Sequence, residues 1–413
     1  MSKNNTPKLR FPEFSDDWEE NIGKNIFKLF GGGSFKSSDS VENGIKWLKI
    51  ANIGINKIKT LEMSFLPKNF KNQYQNYILK KEDVVLALTR PILNHKLKIA
   101  IVDDCFNDSL LNQRVGKITK VKQNSDKFIY YLLQLPKNVK YMEDVISGSD
   151  PPNISNKDIL MIKINTPSLK EQEKISSFLL LIDKKINLLE EKLCHFNDFK
   201  KYCLQQLFSQ KLRFKKENEE NYPDWDEKKL GDIGTFSKGG SLSKSDLSKK
   251  GTKCILYGDL FTIYDEIIDS VELFTDIERK KLKFATKGDI LFSSSTTVDA
   301  MSIASSSALM LDDVALGGDI NAFTPKNIIL SEFLSYQINH FQKKQIAKYA
   351  QGTTIIHLYN DSLRKVVINF PILEEQEKIA NFLINLDNKI DKIAIELENT
   401  KEFKKALLQQ MFV

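Results

Sequence analysis

Three short segments contain residue types that catalytic sites use. SDPPN at residues 149–153 is similar to the Asp-Pro-Pro-aromatic motif of methyltransferases, but Asn153 stands where an aromatic ring would stack on a flipped base. PDWDEK at residues 223–228 has the Asp and Lys residues of a nuclease site, but leaves no room for a strand between them. GGGSFKSS at residues 31–38 lacks the Gly-Lys-Ser/Thr order of a phosphate-binding loop. The sequence therefore predicts no catalytic site.

Cysteines and histidines lie apart from one another along the chain. The absence of any CxxC pair or Cys/His cluster argues against a zinc site and against a disulfide framework. We expect packing or surface roles and no metal site for these side chains, which are Cys105, Cys194, Cys203, Cys254, His95, His195, His340 and His357.

Length and composition are those of an ordinary folded protein. A chain of 413 residues is too long for one common core and predicts two or three domains. Its apolar runs are far shorter than the ~20 residues of a membrane-spanning helix, and its first residues lack a secretion signal, so we expect a cytoplasmic protein with no membrane partner. The net charge of +7, from 61 basic and 54 acidic residues, slightly favours a polyanionic partner.

One segment is written twice, half a chain apart. Residues 170–186 (KEQEKISSFLLLIDKKI) match residues 374–390 (EEQEKIANFLINLDNKI), and in the same register FKKYCLQQLF at 199–208 matches FKKALLQQMF at 403–412. Fainter matches precede each copy, such as LRF at 9–11 and 212–214. An internal duplication is therefore predicted. Its parts are a globular segment (1–166), a helix (167–210), a diverged globular segment (211–370) and a second helix (371–413).

Both repeated segments have the apolar spacing of a coiled coil. Steps of four and three residues continue for about five heptads, with Lys200, Thr400 and Lys404 as polar interruptions. Because the second globular segment connects the end of the first helix to the start of the second, we expect antiparallel helices. Helices of this length span ~60 Å. The sequence predicts a pseudo-twofold dumbbell with two globular heads on a two-helix rod.

The globular segments are predicted to be α+β. Short β-type runs such as DVVLAL and DILF alternate with helix-like stretches and Gly/Ser/Asn loops. Basic and polar residues gather in the loops at 89–98, 112–114, 241–250 and 341–354, and these residue types suit phosphate contacts and hydrogen bonds to base edges. Solvated surface is the alternative for each loop.

Duplicated heads followed by helices that open with P-x-L-x-E-Q-E-K-I resemble the specificity subunit of type I restriction–modification systems. The resemblance extends to PKLRFPEF with a following Trp, to the KGDI strand and to the Gly-Ser/Thr turn ahead of each helix. It implies two target recognition domains, each reading half of a split, asymmetric double-stranded DNA sequence. The helices would set the spacer and dock two methyltransferase subunits, to which restriction/translocase subunits would add. S-adenosylmethionine, ATP and Mg²⁺ would be held by those partners, and this chain would be non-catalytic and hold no cofactor.

The resemblance and the loop chemistry together suggest contact residues. The candidates for DNA contact are Arg90, Asn94, Lys96, Gln113, Arg114, Ser243, Lys244, Thr296, Thr297 and Lys344, near turns at Gly148 and Gly352. The candidates for the methyltransferase dock, on outward-facing helix surfaces, are Glu171, Gln172, Lys174, Glu375, Gln376 and Lys378.

Two other functions remain possible from the residues. A fused methyltransferase or nuclease would bind S-adenosylmethionine by itself, although the sequence has no cofactor fingerprint. A coiled-coil adaptor would bind only proteins, and its heads would not be retained on duplex DNA.

Overall fold

The structure, a computed structural model, describes residues 5–148 and 150–413. Two long helices, Leu169–Phe208 and Leu373–Gln410, each follow a globular α+β head. We call the globular parts head one (residues up to 166) and head two (residues 211–370). The chain forms two compact units, Met1–Glu190 with Ile395–Val413 and Glu191–Ala394. Unit one thus combines head one with parts of both helices, and unit two does the same with head two.

The long helices run antiparallel within each unit, as the sequence predicts. In unit one, Asp183 near the start of the first helix pairs with Lys404 near the end of the second, with Oδ1 and Nζ 2.5 Å apart. In unit two, Lys200 pairs with Asp387 at 2.6 Å. The predicted apolar seam is buried in each unit, and most of its members are below a tenth exposed. Two of the polar interruptions, Lys200 and Lys404, are therefore the cations of largely buried ion pairs.

A tyrosine from each head completes these ion pairs. The Tyr131 hydroxyl donates to Asp183 Oδ2 at 2.6 Å, and the Tyr336 hydroxyl donates to Asp387 Oδ2 at 2.5 Å. Burial, and next the negative charge of Asp183, raise the pKa of Tyr131, so its hydroxyl stays protonated and donates. The same Tyr–Asp–Lys cluster thus fixes head against helices in both units.

Unit two extends its cluster by two further side chains. Glu266 lies 3.6 Å from the Lys200 ammonium, and its other oxygen is 2.6 Å from His340 Nε2. Burial alone would raise the pKa of Glu266, but the hydrogen bond to His340 and the charge of Lys200 outweigh burial and lower that pKa to about 2. The carboxylate is therefore ionised at neutral pH.

Head one is built from short strands and short helices. Its strands are Glu19–Ile22, Phe27–Gly31, Ile45–Leu48, Phe65–Leu66, Val84–Ala87, Ile92–Leu93, Lys96–Leu97, Ile99–Ile101, Leu110–Leu111, Val115–Lys120 and Lys163–Thr166. Its α-helices are Gly23–Ile26, Phe70–Gln73, Asp126–Leu133, Pro136–Ile146 and Asn156–Leu160, and its 3-10 turns are Ser37–Asp39, Ile50–Asn52, Gln75–Tyr77 and Asp104–Phe106.

Head two repeats this plan with more strands. They are Asp226–Lys229, Gly234–Lys238, Leu247–Ser248, Thr252–Ile255, Ile267–Ile268, Phe274–Thr275, Phe284–Ala285, Ile290–Ser293, Ser295–Thr296, Ser306–Leu309, Val314–Leu316, Ile320–Pro325, Ile356–His357 and Val367–Phe370. Its helices are Leu230–Ile233, Asp259–Thr262, Ala300–Ile303, Ser331–Gln337, the π-helical Ile338–Gln342, Lys343–Ala347 and Asn360–Leu363, with 3-10 turns at Lys244–Asp246 and Arg279–Lys281.

The central sheets of the two heads correspond strand by strand. In head one the order is Phe27–Gly31, Val115–Lys120, Val84–Ala87 and Ile99–Ile101, all antiparallel. In head two the order is Gly234–Lys238, Ile320–Pro325, Ile290–Ser293 and Ser306–Leu309, antiparallel, followed by Ile267–Ile268 in parallel. Val84–Ala87 and Ile290–Ser293, the β-type runs that the sequence picks out, are wholly buried because both faces of each strand are covered.

The LRF segments join each head to the end of a long helix. In unit one the Leu9 amide donates to the Gln410 carbonyl at 2.9 Å. In unit two the Leu212 amide donates to the Gln206 carbonyl at 3.2 Å. Aromatic clusters repeat beside these contacts, with Trp18 packed on Phe128 and Phe412 in unit one and Phe333 packed on Trp225 and Phe208 in unit two. The first contact joins residues far apart in the sequence, and the second joins neighbours.

Candidate nucleic-acid interface

One end of the central sheet of head one gathers several predicted DNA contacts. Arg114 directly precedes Val115–Lys120, and its carbonyl accepts a hydrogen bond from the Leu88 amide at 2.9 Å. Arg90 follows two residues after Leu88, and its amide donates to the Pro152 carbonyl at 2.7 Å. Gln113 is hydrogen-bonded through its side chain to Ser34. The side chains of Arg90, Gln113 and Arg114 are exposed, so this sheet end presents two guanidinium groups and an amide.

Asn94 and Lys96 lie on a hairpin that projects from the same sheet end. Ile92–Leu93 pairs with Lys96–Leu97, and both turn residues, Asn94 and His95, have positive φ (49° and 57°). A two-residue loop with both φ values positive matches the twist of a hairpin, and Asn tolerates that conformation well. Asn94 and Lys96 are exposed.

A basic cleft of about 500 Å³ lies beside this hairpin. It is lined by Lys59, Arg90 and Lys98 together with apolar side chains such as Ile53 and Leu93. Burial, and next the charges of Lys59 and Arg90, lower the pKa of Lys98. Three cations around one cleft favour an anionic ligand. The sequence prediction missed Lys59 and Lys98, although Lys98 closes the basic loop at 89–98.

The corresponding sheet end of head two carries different side chains. The Ser294 amide donates to the Asp319 carbonyl at 2.8 Å, the same bond that Leu88 makes with Arg114 in head one. Leu358 donates to Ser294 as Ile154 donates to Leu88. Asp319 therefore occupies the place of Arg114, and it too is exposed. Equivalent positions thus present a carboxylate in one head and a guanidinium in the other.

The predicted DNA contacts of head two differ in how far they are buried. Thr296 is 5% exposed, and its hydroxyl accepts a hydrogen bond from the Val298 amide at 3.2 Å. The Thr296 side chain therefore serves the turn that exposes Thr297, and contact between Thr296 and DNA stays a prediction that its burial does not favour. Lys344 is exposed on Lys343–Ala347, which packs on the helix Ala300–Ile303 just after that turn.

Ser243 and Lys244 lie near the Asp319 end of the sheet. Leu242 bridges to Gly317, which places the turn that follows it beside this edge. The Ser243 hydroxyl and amide both donate to Asp246, and these bonds lower the pKa of Asp246. The Ser243 hydroxyl is thus used within its own turn, while Lys244 is exposed.

The repeated EQEKI motif binds its own head. Glu171, 1% exposed, accepts two hydrogen bonds from the Arg10 guanidinium, each 2.8 Å long. Glu375, 0% exposed, accepts equivalent bonds of 3.1 and 2.7 Å from Arg213. A bidentate, buried carboxylate–guanidinium pair fixes both groups in orientation as well as in distance. The arginine of each LRF segment therefore anchors the glutamate of the helix in its own unit.

The glutamine of each motif fastens the loop before the helix. Gln172 Nε2 donates to the Pro167 carbonyl and to Asn124 Oδ1, and Gln172 Oε1 accepts from the Ser125 amide. In unit two, Gln376 makes the same kind of bonds with Pro371, Ile328 and Leu330. Both glutamines are almost fully buried.

The expectation that this motif faces outward is wrong for four residues, which are buried against their own head, and docking of a methyltransferase subunit at the motif stays a prediction. The four are Glu171, Gln172, Glu375 and Gln376. Lys174 and Lys378 are partly exposed but are also engaged. Lys174 pairs with Glu13 and lies 4.6 Å above the Phe11 ring, and Lys378 donates to the Lys215 carbonyl at 2.9 Å. The duplication of EQEKI reflects two identical head-to-helix joints.

The segments weighed as catalytic hold surface or structural roles where they are described. Asp226–Lys229 is an exposed strand paired with Val367–Phe370, and Asn153 bridges to Thr89. Ser149 lies outside the described residues. Within residues 5–148 and 150–413, no group of three or more His, Cys, Asp or Glu side chains is arranged to hold a metal ion. No helix in that part of the chain combines the length and apolar character needed to cross a bilayer.

Comparison with known proteins gives consistent relatives. The MjaVIII type I restriction enzyme specificity subunit of Methanocaldococcus jannaschii is 36% identical over 51% of this chain and 50% of that one, so the chain spans about half the length of that relative. The MjaIX specificity subunit of the same organism is 20% identical over 96% of this chain and 92% of that one. Among solved structures, a type I restriction–modification S subunit from M. genitalium covers 99% of both chains with a TM-score of 0.66 at 17% identity, a likeness in fold.

A family model also matches most of the chain. The model is described as a type I restriction modification DNA specificity domain, and it matches residues 15–194 and again residues 222–400. The two matches coincide with the duplication that the sequence predicts, and each covers one head with most of the long helix that follows it. The chain belongs to the type I restriction modification DNA specificity domain family, of which it carries two copies.

Proposed function

We propose that this chain is the DNA specificity subunit of a type I restriction–modification complex, with one half of a split, asymmetric target read by each head. The observation that carries the proposal is the pair of equivalent sheet ends. Each presents exposed polar side chains, and the equivalent positions hold Arg114 in head one and Asp319 in head two. An arginine suits the O6 and N7 acceptors of guanine, and a carboxylate suits the amino donor of cytosine. Two heads that share a fold but present different side chains to DNA suit a target whose two halves differ in sequence.

The chemistry of modification and cleavage would be supplied by partner subunits in the cytoplasm. Two methyltransferase subunits would hold S-adenosylmethionine, and restriction/translocase subunits would hold ATP and Mg²⁺. This chain would itself be non-catalytic and hold no cofactor. The long helices would set the spacer between the two half-sites. The nearly balanced 61 basic and 54 acidic residues support a modest affinity of the isolated chain for DNA. Equal affinity of the isolated chain and the assembled complex for the specific site would contradict that part of the proposal.

The test is methylome sequencing of cells that express the chain with its methyltransferase. We expect one bipartite, asymmetric methylated motif. Arg114→Ala should relax the requirement for a base in one half-site only, and Asp319→Ala in the other half-site only, each with a loss of ~1–3 kcal/mol of discrimination. Lys120→Ala is the matched control, because Lys120 is exposed at the opposite end of the strand that Arg114 precedes. A continuous or palindromic motif, or a relaxation of both halves by one variant, would refute the proposal.

A further inference from the structure

Because the two long helices are copies of one sequence, they can be compared with each other position by position. At most positions that are exposed in both copies the residues differ, as in Leu181 and Asn385 or Leu188 and Lys392. Near the helix ends, however, three exposed positions are identical. They are Phe199 with Phe403, Lys201 with Lys405, and Gln205 with Gln409. Identity at buried positions follows from the shared seam, but identity at exposed positions needs a different cause.

Phe199 and Phe403 stand out among these matches. Phe199 is 47% exposed and Phe403 is 53% exposed, on helices where most other repeated apolar residues are buried or half-buried and only Leu373, in the first turn, is exposed. Glu173 with Glu377 and Lys185 with Lys389 also match and are exposed, but solvated charges contribute little to an interface. Burial of an aromatic ring, by contrast, is among the largest single contributions to association.

The direction in which each phenylalanine points is fixed by its neighbour. The residue after Phe199 is Lys200, which is held inward by Asp387, and the residue after Phe403 is Lys404, which is held inward by Asp183. Adjacent helical residues are about 100° apart around the axis, so an inward lysine turns the preceding ring away from the seam. A rigid helix with a fixed rotation is a suitable support for a binding anchor.

We infer that Phe199 and Phe403 are equivalent anchors for two copies of one protein partner, one anchor in each unit. This inference rests on the proposed function, which names the partner as the methyltransferase subunit. Heads that differ cannot offer the same surface twice, and the glutamate and glutamine that the EQEKI motif repeats against each head are buried. The aromatic ring repeated on the exposed surface near the helix ends is therefore the contact best suited to two identical partners. The partner surface is an apolar pocket for the ring, with carboxylates at its edge to meet Lys201 or Lys405.

The stoichiometry of the complex tests the inference. The full chain is co-expressed with the methyltransferase subunit, and the complexes are counted by native mass spectrometry. The parent chain should bind two partner subunits, Phe199→Ala or Phe403→Ala should each bind one, and the double variant should bind none at the concentration that saturates the parent. Each lost anchor should weaken its site by roughly 30-fold. Ile395→Ala is the matched control, since Ile395 is 61% exposed on the same helix as Phe403 but is Glu191 in the other copy.

A second pair of variants tests the charged edge of the same surface. Lys201→Glu and Lys405→Glu should each weaken one site, and the loss should shrink as salt is raised. If the double phenylalanine variant still binds two subunits with unchanged affinity, or if Ile395→Ala weakens binding as much as Phe403→Ala, the inference is overturned while the proposed function stands. If the folded parent chain binds no methyltransferase subunit and directs no methylation, the proposed function fails instead.

Discussion

Replacement of Arg10 by methionine tests whether the EQEKI motif holds the head to the helix or binds a methyltransferase subunit. Arg10→Met removes both hydrogen bonds to Glu171 and leaves a carboxylate that is 1% exposed without its cation. Loss of one partner of a buried ion pair typically costs about 3–5 kcal/mol, because the remaining charge is buried and unpaired. For a domain of this size 1 kcal/mol corresponds to about 2–4 °C, so the melting temperature of unit one should fall by roughly 6–20 °C.

Scanning calorimetry of the isolated chain measures this effect without a partner present. Lys8→Met, which removes a neighbouring exposed cation, should shift the melting temperature by less than about 2 °C. The double variant Arg10→Met/Glu171→Met should be more stable than Arg10→Met alone, because it removes the unpaired charge as well. An unchanged melting temperature for Arg10→Met, together with loss of methyltransferase binding, would show that the motif binds the methyltransferase and does not hold the head to the helix.

Three further perturbations probe the two units. Lys404→Met should destabilise unit one by about 3 kcal/mol in urea unfolding, because Asp183 loses its cation, and Asp183→Asn in the same chain should recover part of this. The pKa of Glu266 in the folded chain, about 2, lies below its ordinary value, so the ionised carboxylate stabilises the fold fully above about pH 5 and less as pH falls towards 2. The parent should therefore be more stable than Glu266→Gln by about 3 kcal/mol at neutral pH, and melting at a series of pH values should show this difference shrinking between about pH 5 and pH 2. Gly352→Ala should disrupt its loop, since an added Cβ would lie 2.0 Å from the Ile355 carbonyl oxygen, and the loop amides should then exchange hydrogen faster. In Gly148→Ala the added Cβ meets no atom within 4 Å, so that variant should lose only about 1 kcal/mol of stability, because of its positive φ.

The helices and the class of fold could be predicted from the sequence because their signals are local. The seam is periodic, and the β-type runs DVVLAL and DILF are short, apolar and bounded by turns. The structure begins the helices at Leu169 and Leu373, two residues after the prolines that the sequence suggests. The antiparallel direction followed from chain connectivity alone.

The environment of individual side chains could not be predicted, because it depends on distant contacts. Glu171 looks like an exposed charge in the first turn of a helix, yet it is buried beneath Arg10, 161 residues away, and Trp18. Thr296 lies in a polar loop by sequence, yet strand pairing with Ile356 buries it. The equivalence of Arg114 and Asp319 likewise emerges from strand register, since loop insertions shift the two heads against each other in the alignment.

The hydrogen bond between Leu9 and Gln410 has a consequence for chain connectivity. In unit two, Leu212 donates to Gln206, and the two residues are joined by the intervening backbone. In unit one, Leu9 donates to Gln410, which is the equivalent helical position, but no backbone joins the two residues directly. The break in the backbone could therefore be moved from one unit to the other. A circular permutant in which a short flexible linker joins the two ends, and which opens between Lys211 and Leu212, should fold into the same two units. In such a protein the order of the two heads along the gene is free to change while each helix keeps its neighbours.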